Sequence, residues 1–444
     1  MQIPNLVSCS TIALALLALS CSHIAENPAA SLPLPGQPPA PFRDTKFDIT
    51  EWNSKILADS RGDGLLVASS RYEILQAGDL MQKLPHVSSN SWQIDRVFPE
   101  SGKKTGFVHS ERQVSDFNVS NDFYKHTILD FIALPCNGDI LAVGSTWNTT
   151  NSYSHDWWIR RFSADGGEQI GQWTQQVSGG TWGIAAPFGM ARDSAGNVYV
   201  AGVSYFDYNQ NWWIRRFDGQ GVEDVARFGK KFDANNGPDV AYAIAIDSRD
   251  NVYVTGTARN LSSANSGDDW WIKKFDRDGN EDLSAWNKSF DSGADTDAPR
   301  AIAIDGNDNI YVAGFMAGSG TNTARRYGIV RKFSADGIED INSWPKKFYP
   351  WSDVTALTID SSNNVYVAGL SASGAFVAIF RQDGQAIASH VYRSGDWALP
   401  RSLLINKGYV HWGGYACCNP GVHPWIESVP LSQLDDFSLI SLLP

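Results

Sequence analysis

The residues that could carry chemistry in this sequence do not form a catalytic set. Its eight histidines neither recur in register nor show the spacing of metal ligands. The chain contains no Gly-x-Ser-x-Gly elbow and no phosphate-binding loop. Two Ser-x-x-Lys matches, at Ser101 and Ser343, lie near predicted hairpins rather than at the start of a helix. We therefore predict no catalytic residues, no metal site and no cofactor.

Acidic and aromatic residues are instead concentrated in the segments between predicted strands. Loops on a rigid scaffold are where recognition usually occurs, and carboxylates among aromatic rings can hold a cation, a basic protein or a sugar. A solvated acidic loop set that keeps the protein soluble is the alternative. The predicted binding residues are Asp156, Asp239, Asp268, Asp269, Asp295, Asp297, Trp147, Trp182 and Trp351.

A repeated strand motif separates these segments. It occurs as Asn197-Val-Tyr-Val-Ala-Gly202, Asn251-Val-Tyr-Val-Thr-Gly256, Asn309-Ile-Tyr-Val-Ala-Gly314 and Asn364-Val-Tyr-Val-Ala-Gly369. Its tyrosines follow one another at intervals of 54, 58 and 55 residues, and fainter copies lie on both sides. An apolar strand precedes each copy, and a third strand, an Asp-bearing turn and a fourth strand follow it. Four strands per unit and this long period predict a propeller.

The predicted fold is all-β, a seven-bladed β-propeller of four-stranded antiparallel blades. Fourth strands are predicted at 228–232, 286–290 and 344–348 in the central units. The last unit looks short, so the ring is predicted to close either with Phe437–Leu442 or with Lys46–Ile49 from the other end of the chain, which would remove exposed sheet edges. The predicted blades span approximately 49–117, 127–181, 182–239, 240–297, 298–353, 354–397 and 398–444.

One central unit shows a likeness to a known repeat. Its successive strands read Ala243-Ile-Ala-Ile-Asp247, Asn251 to Gly256 and Trp270-Trp-Ile-Lys-Lys-Phe275, followed by Asp278-Gly279. This pattern resembles the bacterial β-propeller repeat called SBBP, most clearly over residues 182–385. The resemblance implies an exported or surface-attached propeller, and it implies no catalytic residues.

The N-terminal residues predict export and a lipid anchor. Residues 1–20 are interpreted as a lipoprotein-type signal peptide, because a short apolar run ends in Leu16-Leu-Ala-Leu-Ser-Cys21. Cys21 is the predicted lipidation site, with ordinary cleavage and release as the alternative. Residues 21–48 form a proline-rich tether that favours extended polyproline geometry, and residues 49–444 form the propeller. We expect lipid anchoring to the cell envelope, at the outer membrane, with the head facing the periplasm or the outside.

The charge of the chain limits its partners. Thirty-six basic residues against 48 acidic ones give a net charge of −12, which argues against a nucleic acid partner because phosphate contacts need clustered Lys and Arg. The membrane, through the lipid, and an unknown protein or carbohydrate are the predicted partners of a monomeric head.

Three functions are compatible with these features. The first is a lipid-anchored, non-enzymatic binding module for a protein or carbohydrate ligand. The second is a propeller enzyme, a metal-dependent lyase or lactonase-like hydrolase with its site at the channel mouth. The third is a structural component of the envelope. The absence of a catalytic set in the sequence favours the first.

Overall fold

The computed structural model describes the greater part of the predicted propeller. The described residues are 47–58, 65–74, 91–98, 103–110, 126–134, 139–147, 155–163, 167–169, 171, 173, 175–178, 185–206, 209–235, 237–262, 267–293, 296–317, 326–349, 352–392, 397–417, 423–436 and 441–443. The predicted positions Cys21, Trp182, Asp295 and Trp351 lie outside these residues, as do the signal peptide and almost all of the tether.

The described residues are almost entirely β-strand. The one α-helical turn among them is α1 (Val225–Phe228), and a 3-10 turn covers Leu431–Gln433. The strands in chain order are β1 (Phe47–Ala58), β2 (Leu65–Ile74), β3 (Ser91–Phe98), β4 (Lys103–Ser110), β5 (His126–Ala133), β6 (Ile140–Trp147), β7 (His155–Phe162), β8 (Gln175–Ser178), β9 (Ala186–Arg192), β10 (Val198–Phe206), β11 (Asn209–Phe217), β12 (Lys230–Phe232), β13 (Val240–Ile246), β14 (Val252–Arg259), β15 (Asp268–Phe275), β16 (Lys288–Phe290), β17 (Ala298–Ile304), β18 (Ile310–Met316), β19 (Tyr327–Phe333), β20 (Lys346–Tyr349), β21 (Ser352–Ile359), β22 (Val365–Ser371), β23 (Gly374–Phe380), β24 (Ala386–Tyr392), β25 (Trp397–Asn406), β26 (Tyr409–Cys417), β27 (His423–Pro430), β28 (Asp435–Asp436) and β29 (Ser441–Leu443).

The strands form antiparallel sheets, and most sheets consist of strands that follow one another in the chain. Within the described residues the sheets are β1–β4, β5–β8, β9–β12, β13–β16, β17–β20 with β29, β21–β24 with β28, and β25–β27. The first strands of successive sheets contact one another in chain order, and β25 contacts β1. Sheets packed side by side around a common centre make this a β-propeller.

The second strand is the buried middle of each central sheet. In β14 every residue but the last is buried, whereas most residues of the first strand β13 keep partial exposure. The Val-Tyr-Val runs of the repeat suit this position, because β-branched and aromatic side chains pack well on a pleated surface. Partly exposed first strands are what an inner ring around an axis requires.

The turn between first and second strands is closed by one aspartate. Asp247 Oδ1 accepts hydrogen bonds from the backbone N–H of Arg249 and Asn251, and Oδ2 accepts from Asn251 Nδ2 and the Tyr253 hydroxyl. Asp250 takes the left-handed conformation that this turn needs, with φ 64°. The repeated Asp, Asn and Tyr residues therefore form one local hydrogen-bonded turn.

The first tryptophan of each Trp-Trp pair joins neighbouring sheets. The indole N–H groups of Trp157, Trp212 and Trp270 donate to carbonyl oxygens in the second half of the next sheet's second strand, at 3.1, 2.8 and 2.9 Å. Trp212 also packs on Trp271 of the next sheet, with ring centroids 4.9 Å apart. The N–H group and the ring of Trp212 thereby both attach one sheet to the next.

The fourth strands are shorter than predicted. They cover three residues in β12 and β16 and four in β20, and the aromatic residues Phe228, Trp286 and Trp344 precede them. These rings leave the sheet because each packs edge-on against the second-strand tyrosine of its own sheet, as Trp286 does on Tyr253 at 4.8 Å. Burial of a large ring in that groove outweighs an extension of the strand.

Neither predicted closing segment completes the last sheet among the described residues. Phe47 begins β1, which is the first strand of the first sheet, and the segment Ser441–Leu443 pairs with β20. The short β28 pairs with β24. Among the described residues the sheet β25–β27 thus has three strands, and it meets the first sheet by packing on β1. The tail instead runs back over the two sheets that precede the last one.

Within the described part of the chain, no helix combines the length and apolar character that a membrane crossing needs.

Candidate ligand-binding face

One face of the ring carries the connections between second and third strands and between successive sheets. We call it the loop face; in the fourth sheet it is marked by Val240 at the start of β13, Arg259 at the end of β14 and Asp268 at the start of β15. Arg259 and Asp268 are register partners in the ladder, so their side chains meet there. All the predicted acidic binding residues were expected on this face.

Two of those aspartates lie beneath the loop face and hold its backbone. Asp239 is fully buried; its Oδ2 accepts from Ala234 N at 2.6 Å and its Oδ1 from Arg259 N at 2.9 Å. Asp297 is also fully buried and makes the same connection one sheet further, accepting from Ser292 N and Ala317 N. Each carboxyl group thus ties an inter-sheet connection to the end of a second strand.

The other predicted residues divide between buried and exposed positions. Asp156 and Asp269 are buried directly before a Trp-Trp pair, and Asp269 accepts from Ser262 N at 2.7 Å. Asp268 is partly exposed and pairs with Arg259 at 3.1 Å. Trp147 ends β6, where its backbone is paired with His155. The structure therefore brings Asp239 and Asp268 together around Arg259, while Asp156 and Trp147 belong to the second sheet.

Arginines that were absent from the sequence-based set also occupy this face. Arg326 Nη2 donates to Asp353 Oδ2 at 2.5 Å, and Arg300 Nε lies 4.0 Å from the same oxygen. Arg300 stands at the one-residue register shift between Pro299 and Ala301 in β17. Equivalent shifts occur in the other central first strands, for example at Tyr242 in β13. The sequence does not predict that Arg300 or Tyr242 lies at this face, because a bulge moves one side chain out of the regular alternation of a strand.

The shifted residues of neighbouring sheets touch one another. Phe188 and Tyr242 have ring centroids 5.7 Å apart, and the Arg300 guanidinium lies 5.0 Å from the Tyr242 ring centroid. With Asp353, these residues form an arc across four consecutive sheets, which we call the inner arc. It combines aromatic rings, a cation and a carboxylate at the loop-face end of the first strands.

Burial shifts the pKa of three aspartates and one arginine on this face. It raises the pKa of Asp239 to about 7, and the amide hydrogen bonds from Ala234 and Arg259 only partly oppose this shift. Burial likewise raises the pKa of Asp297 to about 6. It also raises the pKa of Asp268, against the attraction of Arg259, and lowers the pKa of the Arg326 guanidinium.

These shifts predict a pH-dependent stability. Because the pKa of Asp239 is raised to about 7, the folded protein keeps a proton that the unfolded chain releases near pH 4, so this group's contribution to stability falls as the pH rises from about 4 to 7. We expect the free energy of unfolding to fall by up to about 4 kcal/mol more in the unmodified chain than in Asp239→Asn over that range.

Urea denaturation at a series of pH values would measure the difference. Asp278→Asn is the control, because the Asp278 side chain is 59 % exposed, and it should leave the slope unchanged. Parallel pH profiles for the unmodified chain and Asp239→Asn would contradict the raised pKa.

No group of three or more His, Cys, Asp or Glu side chains in the described residues is arranged to hold a metal ion.

Comparison with known proteins supports the fold. The family model of the SBBP β-propeller repeat matches residues 172–209, which include β9 and β10, and confirms the resemblance drawn from the repeated motif. A search of curated proteins finds no match.

Several solved structures share a distant likeness. A gluconolactonase of Xanthomonas campestris is 14% identical, with 69% of this chain and 96% of that chain covered and a TM-score of 0.34. A puromycin hydrolase is 10% identical, with 88% and 52% covered and a TM-score of 0.47. The α-L-arabinofuranosidase Arb93A of Fusarium graminearum is 13% identical, with 69% and 94% covered and a TM-score of 0.44. Scores this low say nothing about a shared activity.

Proposed function

We propose that this chain is a lipid-anchored protein of the cell envelope whose seven-bladed propeller binds a protein or carbohydrate ligand at its loop face, without catalysis. The buried aspartates Asp239 and Asp297 are the observation that carries this proposal. Each holds two segments of the loop face by backbone amides, at distances of 2.6 to 2.9 Å. A surface fixed before binding loses little conformational entropy when a ligand arrives, which favours recognition.

The ion pair between Arg259 and Asp268 gives this surface a test position. Both side chains are partly exposed, at 47 % and 25 %, so a ligand can reach them. Arg249 provides the matched control, because its side chain is 72 % exposed and it lies in the turn after β13, at the opposite end of the strands.

Capture from envelope extract and a glycan array would test the binding function. The full chain in detergent should retain a specific protein or glycan, Asp268→Ala should weaken that retention, and Arg249→Ala should not. Equal retention by all three proteins, or none by the unmodified chain, would refute a loop-face site. A stoichiometric divalent ion in the purified protein would favour the enzyme alternative.

The anchor has a separate test at Cys21. We expect the mature chain to begin at a lipid-modified Cys21 and Cys21→Ala to abolish the modification, because only the thiol can carry the thioether. Mass spectrometry of the N-terminal peptide from the membrane fraction measures both. An unmodified N-terminus in the original chain would show cleavage and release instead.

A further inference from the structure

The carboxylate of the inner arc, that of Asp353, is shared by two arginines, Arg300 of the arc and Arg326 beside it. Arg300 and Arg326 both approach Asp353 Oδ2, at 4.0 and 2.5 Å. The Asp268 carboxylate also attracts Arg300, but its ion pair is with Arg259. Among the described residues Arg300 has the long contact with Asp353 and no hydrogen bond. Two guanidinium groups therefore share the Asp353 carboxylate, and within the described residues the N–H donors of Arg300 make no hydrogen bond.

Aromatic rings surround the Arg300 guanidinium. Its Cζ atom lies 5.0 Å from the Tyr242 ring centroid and 5.3 Å from that of Phe315. Tyr242 in turn contacts Phe188 of the preceding sheet. Such contacts fix the planar guanidinium in one orientation, so less freedom is lost when it binds an anion.

The arc is also accessible. The Arg300 side chain is 16 % exposed, and Tyr242 and Phe188 are half-buried. A ligand of matching chemistry needs a carboxylate for the fork of N–H donors on Arg300 and an apolar ring face for the neighbouring aromatic rings.

We propose that the inner arc binds a carboxylate carried on a six-membered ring, with Arg300 as the residue that recognises the carboxylate. The proposal rests on the loop-face binding function and names its ligand class. A sugar acid and an aromatic acid share this chemistry. The ring lies against Tyr242 and Phe188, and Asp353, 4.0 Å from Arg300, attracts the guanidinium from the other side.

Titration calorimetry on the full chain can distinguish a sugar acid from an aromatic acid as the ligand. Galacturonate is the sugar-acid probe, galactose is its neutral counterpart, and benzoate is the aromatic acid. We expect galacturonate, benzoate or both to bind at least tenfold more tightly than galactose. Binding of galacturonate alone identifies a sugar acid as the ligand, and binding of benzoate alone identifies an aromatic acid.

Two substitutions assign the binding to Arg300. Arg300→Gln should weaken the acid at least tenfold, because it removes a charge-assisted bidentate contact, and Arg300→Lys should recover part of the loss. Arg249→Gln should leave the affinity unchanged. Thermal denaturation of each variant reports whether it is folded. If Arg300→Gln does not fold, the affinity of Arg300→Lys for the acid tests the role of Arg300.

Two results would overturn the proposal. The first is that no acid binds more tightly than galactose. The second is that the acid binds equally to the unmodified chain and to folded Arg300 variants. If the full chain nevertheless captures an envelope ligand through Asp268, the loop-face function stands and only the ligand class is wrong.

Discussion

Gly256→Ala should lower the free energy of unfolding by about 3 kcal/mol, because the new methyl group has no space. A Cβ at this position in β14 would lie 2.0 Å from the Val240 carbonyl oxygen and 2.7 Å from the Ala241 Cα, both backbone atoms of the adjacent strand. It would also lie 2.9 Å from the Trp212 ring of the preceding sheet. Backbone on one side and a buried indole on the other leave nothing that can move aside.

Gly219→Ala is the matched control. Its Cβ would come no closer than 3.9 Å to another atom, so we expect a change within about 0.5 kcal/mol. Chemical denaturation of both variants measures the two free energies. A Gly256→Ala protein as stable as the Gly219→Ala protein would show that the sheets are not packed as described.

The second large effect is expected at Trp212. Its side chain is fully buried, donates to the Thr257 carbonyl at 2.8 Å and packs on Trp271 of the next sheet. Trp212→Ala removes both contacts and leaves a cavity between two sheets, so we expect a loss of about 3–5 kcal/mol in the free energy of unfolding. Trp212→Phe keeps part of the packing and loses the hydrogen bond, so it should cost less.

Ile341→Ala provides the comparison for Trp212→Ala. Ile341 is 72% exposed, and its truncation should change stability by less than about 0.5 kcal/mol. A double substitution of Trp212 and Trp271 should cost less than the sum of the single ones, because the two rings contact each other. Additive losses would mean that the indoles act independently.

The sequence predicted the repeated parts of the fold well, because each repeat contains its own local signals. The third strand predicted from Trp270 to Phe275 lies within β15, and the Asp247 to Asn251 turn forms the hydrogen bonds expected of short polar side chains. The SBBP resemblance is confirmed by the family match at 172–209. In these places local propensity and packing favour the same conformation.

Tertiary packing decided the features that were missed. Trp286 has the apolar character of a strand residue, but it is placed by a groove beside Tyr253 that the sequence does not show. Arg300 enters the inner arc through a bulge, and a one-residue shift leaves no periodic pattern. The buried position of Asp239 depends on the backbone amides of residues 234 and 259. These partners are not visible in the sequence, so the residue type alone predicts an exposed acid.

The C-terminal strands β28 and β29, which pair with β24 and β20, have a consequence for self-association. Strands at the rim of a ring of sheets are templates on which a foreign chain can extend the hydrogen-bond ladder. Here β29 and β28 already occupy that position on β20 and β24, and the outermost strands β12 and β16 are only three residues long. The central part of the rim therefore offers an incoming strand very little backbone on which to begin amyloid-like growth.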